Sequence, residues 1–411
     1  MDEVFYIADQ NTSARIRFPV MVRHWKISLV AMMLICSILM TSCSKAQNYQ
    51  QTELNTDGPA LTEQQNACSD TVPLQTNVEE TAIMPEFPEE VLLCSAEAKL
   101  VYDGEMSVKD AAASGDPYEP LTISYRLVQG PGSLWLSESQ DMHDAVLFTL
   151  EQDEESLSID NLKTGTTYFY RVQAEGEDYS GSFRTAYSNR YVTMPDAVNT
   201  RDIGGYKTLD GCIVKQGLLI RGSELDGLVE TDFFLRTEAL QGTMDTFSFV
   251  YDLDLREPQI YVGEYWSRLG EAVGHRFYDA PVYGQVFQKY YIQRLRQVFV
   301  DLADPDKYPI YLHCTYGADR TGIVVFLLQG LLKVSEEDMV REYQLTEFSS
   351  PGFSEKNRIE VVINGLAPYP GETLHEKIEY FLTWEIGVKQ SAIASIRNIF
   401  LEQAAGDSEA K

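Results

Sequence analysis

A cysteine and an arginine separated by five residues are the part of this sequence best suited to chemistry, and both lie in HCTYGADRTG, residues 313–322. The thiol of Cys314 would be a nucleophile once it is ionised. The planar guanidinium of Arg320 offers paired N–H donors that match two oxygens of a phosphate, a geometry that lysine cannot reproduce. Gly317 lets the chain turn with its amides inward, where a side chain would crowd a ligand. These residue types at this spacing predict a site where a thiolate and a guanidinium face one phosphoryl group.

The segments that flank this loop are predicted to be a strand and a helix. Residues 308–313, YPIYLH, are typical of a short buried strand, and residues 321–332, TGIVVFLLQGLL, of an apolar helix. A loop between a strand and the start of a helix gathers backbone N–H groups and the positive end of a helix dipole, which together bind an anion and stabilise a thiolate. Cys314 is therefore predicted to be a nucleophile near neutral pH. The loop residues predicted to bind phosphate are Thr315, Tyr316, Gly317, Ala318 and Arg320.

A cysteine and an arginine at this spacing are not specific by themselves. The alternative is a small buried cysteine at the end of a strand with a surface arginine beyond it. The presence of His313, Gly317, Thr321 and Gly322 in the same register favours the phosphate site.

The loop resembles the HCxxGxxR(S/T)G signature of the cysteine-dependent protein tyrosine phosphatases, and most closely a bacterial branch whose loop usually reads HCxxGKDRTG. Residues 199–206 (NTRDIGGY), 218–223 (LLIRGS) and 254–256 (DLR) resemble further elements of that branch. Taken alone, the DIGG stretch is also compatible with an ordinary turn. The resemblance covers roughly residues 192–405, and it implies an α/β domain with a small parallel sheet flanked by helices. One position departs from the pattern, because the lysine of the branch is Ala318 here.

This resemblance implies a phosphomonoester hydrolase that works in two steps without a cofactor. Cys314 would attack phosphorus in line while the loop amides and Arg320 hold the equatorial oxygens, and a cysteinyl-phosphate would form. An acid must protonate the leaving group. The branch carries an aspartate at the position of Asp319, and Asp279 is the rival acid on a separate loop. Thr321 would hydrogen-bond the cysteine sulfur. The residues predicted to support the site are His313, Arg201, Asp202, Asp254 and Arg256.

Two other classes of function remain compatible with the loop. A phosphoinositide or other small-phosphoester phosphatase would use Cys314 and Arg320 with a wider and more basic mouth. A phosphopeptide-binding pseudophosphatase would keep Arg320 and the amides but lack a working acid. The neutral Ala318 and the aromatic Tyr316 favour a flat ring over a polyanion, so the expected substrate is a phosphotyrosine-containing protein or peptide.

Residues 1–42 have the pattern of a secretory signal. A basic start after Met21 precedes an apolar run at 27–40, which is too short to span a membrane comfortably. The sequence MTSC at 40–43 resembles a bacterial lipobox, in which Cys43 would be acylated. The alternative is a plain anchor helix or an ordinary signal peptide, and residues 1–20 precede a better start at Met21. We expect an exported bacterial lipoprotein in the outer membrane, because no aspartate follows Cys43.

Length and composition limit the number of domains and the kind of partner that the chain can have. With 411 residues and 44% apolar side chains, the chain is long enough for two or three domains with cores of their own. Residues 43–85 are rich in Gln, Asn, Thr, Ser and Glu without periodicity, which predicts a flexible tether. Removal of residues 1–42 would take away four basic and three acidic residues and change the formal charge from −29 to −30. Such a surface repels nucleic acid, so no nucleic-acid partner is expected.

Residues 86–188 are predicted to form an all-β, fibronectin type III-like sandwich. Alternating apolar positions at 121–127 and 145–150 indicate short strands between turns. The stretch LKTGTTYFYRV at 162–172 resembles the fibronectin type III corner, in which the hydroxyl of Tyr168 would bond back to the chain. Its role is predicted to be structural, as a spacer.

The remaining cysteines and histidines indicate no metal. No Cys or His residues stand at metal-ligand spacing, so a metal-free reaction is predicted. In an exported protein Cys68 and Cys94 are a candidate disulfide pair, although spacing alone does not establish it.

Overall fold

The computed structural model describes residues 81–194, 197–225, 247–258, 267–349 and 356–403. The signal-like segment, Cys43, Cys68 and almost the whole tether lie outside the described residues, so these predictions stay predictions. Within the described ranges, none of the helices is long and apolar enough to cross a membrane.

Residues 81–188, which we call the β-module, contain two sheets around one apolar core. A five-stranded sheet has the order β1-β7-β6-β3-β4, and β2 pairs with β5. Leu121 and Ile123 of one sheet pack in the same cluster as Leu134 and Val172 of the other, because alternate residues of each strand point inward. The strands are β1 (Glu90–Val91), β2 (Leu121–Ser124), β3 (Gly132–Ser137), β4 (Val146–Leu150), β5 (Ser156–Ile159), β6 (Thr167–Ala174) and β7 (Glu177–Thr185).

The predicted corner tyrosine is confirmed. The hydroxyl oxygen of Tyr168 accepts a hydrogen bond from the backbone N–H of Lys163 at 2.8 Å. Its ring stacks on Phe183, with the ring centroids 5.6 Å apart. Tyr168 therefore holds the start of β6 to the preceding turn. The assignment to the fibronectin type III class stays a prediction.

The prediction that this region is all-β is wrong in one respect, since it contains two short helices, α1 (Ala96–Tyr102) and α2 (Val108–Ala111). Each begins at a serine whose side chain accepts a hydrogen bond from the backbone three residues later, at Ser95 and Ser107. Such capping satisfies an N–H group that the first turn leaves unpaired. Cys94 lies beside α1 in a buried apolar cluster, and burial raises the pKa of its thiol to about 11.

The second part of the described chain, residues 189–403, is an α/β domain built on a five-stranded sheet of order β12-β11-β13-β10-β8. The four strands from β12 to β10 are parallel, which confirms the predicted small parallel sheet, and β8 is antiparallel to β10 at the edge. The strands are β8 (Arg201–Asp202), β9 (Cys212–Val214), β10 (Leu219–Gly222), β11 (Tyr251–Asp254), β12 (Gly274–Phe277), β13 (Ile310–His313) and β14 (Leu401–Gln403), of which β9 and β14 form a separate pair.

Among the described residues, six helices flank this sheet, and one of them is central. The helix predicted at 321–332 is confirmed, and every residue from Thr321 to Leu331 is buried, because a helix without a polar face must be enclosed on all sides. The helices are α3 (Lys289–Leu302), α4 (Asp319–Leu331), α5 (Glu336–Gln344), α6 (Lys356–Leu366), α7 (Leu374–Tyr380) and α8 (Gln390–Phe400). The short turns of other helix types are Tyr283–Phe287, Pro305–Lys307, Leu345–Phe348 and Phe381–Glu385.

Polar contacts join the β-module to the α/β domain. Arg190 donates to Asp202 at 2.7 Å and to the carbonyl of Asn161 at 2.7 Å. Gln216 donates to the carbonyl of Thr164 at 2.8 Å and accepts from its backbone N–H at 3.1 Å. We call these five residues the inter-module clamp.

Candidate active site

Residues 314–320, which we call the cysteine loop, connect the end of β13 to the start of α4. Cys314 is 4% exposed at the point where the strand ends. Gly317 has a positive φ of 64°, and a Cβ at this position would lie 2.4 Å from the carbonyl oxygen of Gly222. Only glycine satisfies both conditions, so the loop turns sharply against the end of β10.

Three carbonyl groups of the cysteine loop accept hydrogen bonds from neighbouring segments of the domain. The carbonyl of Thr315 accepts from the backbone N–H of Glu224 at 3.2 Å, and that of Tyr316 accepts from Asn199 Nδ2 at 3.1 Å. The carbonyl of Gly317 accepts from Arg221 Nη2. In a planar trans peptide the C=O and the next N–H point in opposite directions. Three successive N–H groups are thus turned toward the other side of the loop, which makes a cradle for an anion.

Two arginines and one glutamate are buried directly behind the cysteine loop. Glu342 Oε1 accepts from Arg201 Nε at 2.8 Å, and its Oε2 accepts from Arg221 Nη1 at 2.7 Å. Burial and the nearby Arg201 together lower the pKa of Arg221 to about 10, although Glu342 opposes the change. Burial alone would raise the pKa of Glu342, but the two arginines outweigh it and lower this pKa. With both arginines protonated, the trio has a formal charge of +1, which favours an anion on the loop.

His313 is fixed by two carboxylates at the end of the sheet. Its Nε2 lies 2.8 Å from Asp252 Oδ1 and 3.7 Å from Asp254 Oδ2. Burial lowers the pKa of His313, but Asp254 and Asp252 outweigh it and raise the pKa to about 9. Arg256 donates to Asp254 from Nη2 at 2.7 Å and also pairs with Glu224. With this pKa His313 is protonated near neutral pH, and its two carboxylate partners fix it at the start of the cysteine loop.

Arg320 has a buried donor that is unpaired among the described residues. Its Nε is enclosed and, among the described residues, has no hydrogen-bond partner. An unpaired buried donor costs on the order of 1–3 kcal/mol, so such a group is expected where a ligand completes the site. The position, at the second residue of α4, is the one predicted for the phosphate-binding arginine.

Thr321 does not make the predicted bond to the cysteine sulfur. Its side chain is wholly buried, and within the described part of the chain its hydroxyl has no hydrogen-bond partner. The physical reason is that α4 already begins at Asp319, so the geometry of the helix sets the direction of Thr321.

The two candidate acids lie in different surroundings. Asp319 is the first residue of α4, and its Oδ1 lies 3.4 Å from the Tyr343 hydroxyl. Asp279 forms an ion pair with Arg294 at 2.9 Å and accepts a hydrogen bond from Tyr290 at 3.3 Å. Asp319 belongs to the cysteine loop itself, whereas Asp279 lies on a separate segment. Each carboxylate has an arginine partner, Arg358 at 3.7 Å for Asp319 and Arg294 at 2.9 Å for Asp279.

The structure places Asp202 away from the cysteine loop. Asp202 accepts from Arg190 and from the backbone N–H groups of Gly204 at 2.8 Å and Gly217 at 2.5 Å. These contacts belong to the inter-module clamp and to a turn, so Asp202 joins the two modules instead of having its predicted role at the site. The side chains of Asp202 and its neighbour Arg201 have different partners because adjacent strand residues point to opposite sides of the sheet. The sequence motif alone does not show this difference.

The prediction missed four residues that hold the site, namely Asn199, Arg221, Asp252 and Glu342. Asn199 and Arg221 stand within quoted motifs without an assigned role. Glu342 had a local signal: it lies on the same buried face of α5 as Met339 and Tyr343. An acidic residue on the apolar face of a helix requires basic partners.

One family model and two solved structures were found to be similar to parts of this chain. The model of the tyrosine phosphatase family matches residues 192–259 and 268–402. The core catalytic domain of the PP-IP phosphatase SIW14 from S. cerevisiae, in complex with citrate, is 18% identical with a TM-score of 0.26, over 45% of this chain and 90% of that chain. A structure of the Siw14 catalytic core is 19% identical with a TM-score of 0.27, over 45% and 89%. No curated protein matches the chain. The family match and the site together make the α/β domain a cysteine-based phosphatase.

Proposed function

We propose that this protein is a protein tyrosine phosphatase, which hydrolyses phosphotyrosine in proteins or peptides through a cysteinyl-phosphate on Cys314. The observation that carries the proposal is the set of N–H donors at the cysteine loop. Its carbonyls are held outward by Arg221, Asn199 and Glu224, and the buried Nε of Arg320 has no partner among the described residues. A phosphoryl group would supply an acceptor for Arg320 Nε and for the loop N–H groups that face away from these carbonyls.

The first chemical step forms a bond between sulfur and phosphorus. The Cys314 thiolate attacks in line, the bond from phosphorus to the phenolic oxygen breaks, and Asp319 gives its proton to that oxygen. The loop amides and Arg320 hold the three equatorial oxygens, where charge is concentrated in the transition state.

The second step returns the enzyme to its starting state. Asp319, now a carboxylate, takes a proton from a water molecule that attacks phosphorus. The sulfur–phosphorus bond breaks, phosphate leaves and Cys314 is again a thiolate. Microscopic reversibility assigns one aspartate to both proton transfers.

Phosphotyrosine is favoured by the side chains beside the loop. Tyr316 is 40% exposed, so its ring can contact a flat aromatic ring. Ala318 is buried and uncharged, and the chain as a whole has a formal charge of −29. Both features disfavour a polyanionic headgroup, the second through a long-range repulsion that salt weakens.

A substrate comparison at fixed salt tests this proposal. We expect kcat/KM of the full chain for phosphotyrosine peptides to exceed that for phosphoinositides by at least ~10-fold, equivalent to about 1.4 kcal/mol. Ala318→Lys should narrow this difference. Cys314→Ser is the control: it should lose turnover yet still bind vanadate, because the loop donors remain.

Three outcomes would contradict the proposal. Equal hydrolysis of phosphoinositides by the wild type would favour the lipid-phosphatase alternative. Vanadate binding with only trace turnover in the wild type would favour the phosphopeptide-binding alternative. Appreciable hydrolysis by Cys314→Ser would exclude the covalent mechanism.

A further inference from the structure

A cavity of about 180 Å³ lies between the β-module and the α/β domain, and we call it the inter-module pocket. Residues 116–118 of the β-module form one wall. Residues 191–194, residues 197–201 and the turn at 345–349 of the α/β domain supply the others. A cavity of about 150 Å³ holds a single small ring, and sites for drug-sized ligands are larger. The inter-module pocket therefore fits one long side chain rather than a whole cofactor.

Two polar side chains in the walls are already engaged by the protein. Arg201 donates to Glu342 Oε1 at 2.8 Å and to the carbonyl of Glu342 at 2.9 Å, so its donors are turned toward α5. The hydroxyl of Tyr118 donates to Asp160 at 2.7 Å. Because these groups have protein partners, neither of them requires a polar group from a ligand.

The surface that remains for a ligand is apolar inside and acidic at the edge. Met194 and Phe348 line the pocket and are nearly buried, whereas Val198 is 51% exposed. Asp116 is exposed, and one of its carboxylate oxygens accepts from the backbone N–H of Tyr118 at 3.0 Å. An apolar wall with a carboxylate at its edge matches a cation carried on an apolar stem, which is the form of lysine and arginine side chains.

The inter-module pocket adjoins the cysteine loop through Asn199. This residue lines the pocket, and its Nδ2 donates to the carbonyl of Tyr316 at 3.1 Å and to the hydroxyl of Thr346 at 3.1 Å. An extended chain covers about 10 Å in three residues. A peptide whose phosphotyrosine lies on the loop is therefore long enough to place a nearby side chain in the pocket.

We propose that the inter-module pocket binds the cationic side chain of a lysine or arginine that flanks the phosphotyrosine of the substrate; this inference rests on the proposed function. The stem lies against Met194, Val198 and Phe348, and the charged end pairs with Asp116. The formal charge of −29 also attracts a basic peptide, but it acts at long range and not at one position. The β-module then takes part in substrate recognition instead of serving only as a spacer.

The test uses the full chain and pairs of phosphotyrosine peptides that differ only by arginine or citrulline at one position from −3 to +3. Citrulline has nearly the shape of arginine but no charge, so the ratio of the two kcat/KM values isolates the charge. We expect a ratio of ~5 at one or more positions in the wild type at fixed salt, mainly through KM. Asp116→Asn should bring the ratio to about one, while asparagine keeps an acceptor for the N–H of Tyr118. Ala197→Leu should also lower the ratio, because the larger side chain fills the pocket.

Asp153→Asn is the matched control. Asp153 is an exposed carboxylate of the same module, and it lies next to the end of the β2–β5 pair opposite to the end near Asp116. This variant should keep the preference for arginine. An equal fall of the ratio in Asp153→Asn and Asp116→Asn would assign the preference to overall charge and overturn the inference. Equal hydrolysis of the two peptides of every pair by the wild type would also overturn it.

Binding to Cys314→Ser separates this inference from the proposed function, because binding needs no turnover. If the wild type hydrolyses no phosphotyrosine peptide, the proposed function fails. A higher affinity of Cys314→Ser for the arginine peptide that is lost in the double variant with Asp116→Asn would still support the pocket. Titration with N-acetyl-arginine amide detects a free ligand. If this compound binds through Asp116 while both peptides of every pair bind equally, a separate small cation occupies the pocket and its assignment to the substrate is wrong.

Discussion

The cores of the β-module and of the α/β domain differ in charge. Among the described residues of the β-module, the buried polar side chains are uncharged: Ser137, Asn161, Thr164, Thr185 and Ser188. The α/β domain buries ionisable groups of both signs: Arg190, Arg201, Asp202, Arg221, Asp252, Asp254, Arg256, Asp301, His313, Glu342 and His375. Burying a charge is unfavourable unless it is paired, so such groups are informative where they cluster.

Several of these buried charges cluster around the cysteine loop. Arg201, Arg221 and Glu342 lie behind the cysteine loop, and His313 lies at its start between two carboxylates. The β-module instead uses the neutral hydroxyl of Tyr168 to fix one turn. A change in the charged region should affect stability and catalysis together, whereas a change in the neutral core should affect stability alone.

The largest expected effect is a loss of kcat at a residue outside the buried charged groups. Asp319 is 23% exposed and outside the buried trio, so Asp319→Asn should leave thermal stability nearly unchanged. It should lower kcat for phosphotyrosine peptides by about 10²–10⁴, and much less for an ester whose leaving group is a weak base. Steady-state kinetics on both ester types measures the effect. The matched variant Asp279→Asn should show little change; the opposite pattern would exchange the roles of the two acids.

The next effect tests the charged core against the neutral one. Glu342→Gln leaves Arg201 and Arg221 without their counter-charge, and breaking a buried pair in this way costs about 3–5 kcal/mol. Tyr168→Phe removes one hydrogen bond in the β-module and should cost about 1 kcal/mol with kcat unchanged. Urea unfolding and kinetics of both variants make the comparison. A smaller cost for Glu342→Gln than for Tyr168→Phe would contradict the difference between the two cores.

The smallest of the three effects depends on pH. The folded pKa of His313 is about 9, above its ordinary value of 6.5. Protonation of His313 therefore contributes stability that is fully present below about pH 6.5 and is lost as the pH rises through about 9, on the order of 3 kcal/mol in total. The unfolding free energy of wild type should fall more steeply than that of His313→Asn between these pH values. Parallel curves would count against a charged His313.

Local pattern was enough to predict the elements that position the nucleophile. The strand that ends at His313, the turn at Gly317 and the apolar helix that follows are each encoded within a few residues, by an apolar run, a glycine and a second apolar run. The parallel sheet was instead predicted from the family resemblance of residues 192–405. The corner at Tyr168 was also predictable, since the hydroxyl bonds to a residue only five positions away.

Long-range partners were beyond this kind of prediction. Arg201 and Glu342 are 141 positions apart, and no local pattern states that their side chains meet. Asp202 shares a motif with Arg201 but faces the β-module, which only the folded sheet reveals. The helices after Ser95 and Ser107 are so short that a single cap decides each of them.

The inter-module clamp opposes rotation of the β-module relative to the α/β domain. Arg190 holds Asp202 and Asn161 at the same time, and Gln216 exchanges two hydrogen bonds with Thr164, so a twist between the modules would strain several directional bonds together. Asp202 belongs to β8, which pairs with β10, and β10 ends where its last carbonyl meets the glycine of the cysteine loop. The contacts of the β-module therefore continue through β8 and β10 to the backbone of the cysteine loop, so a displacement between the two modules would act on that loop.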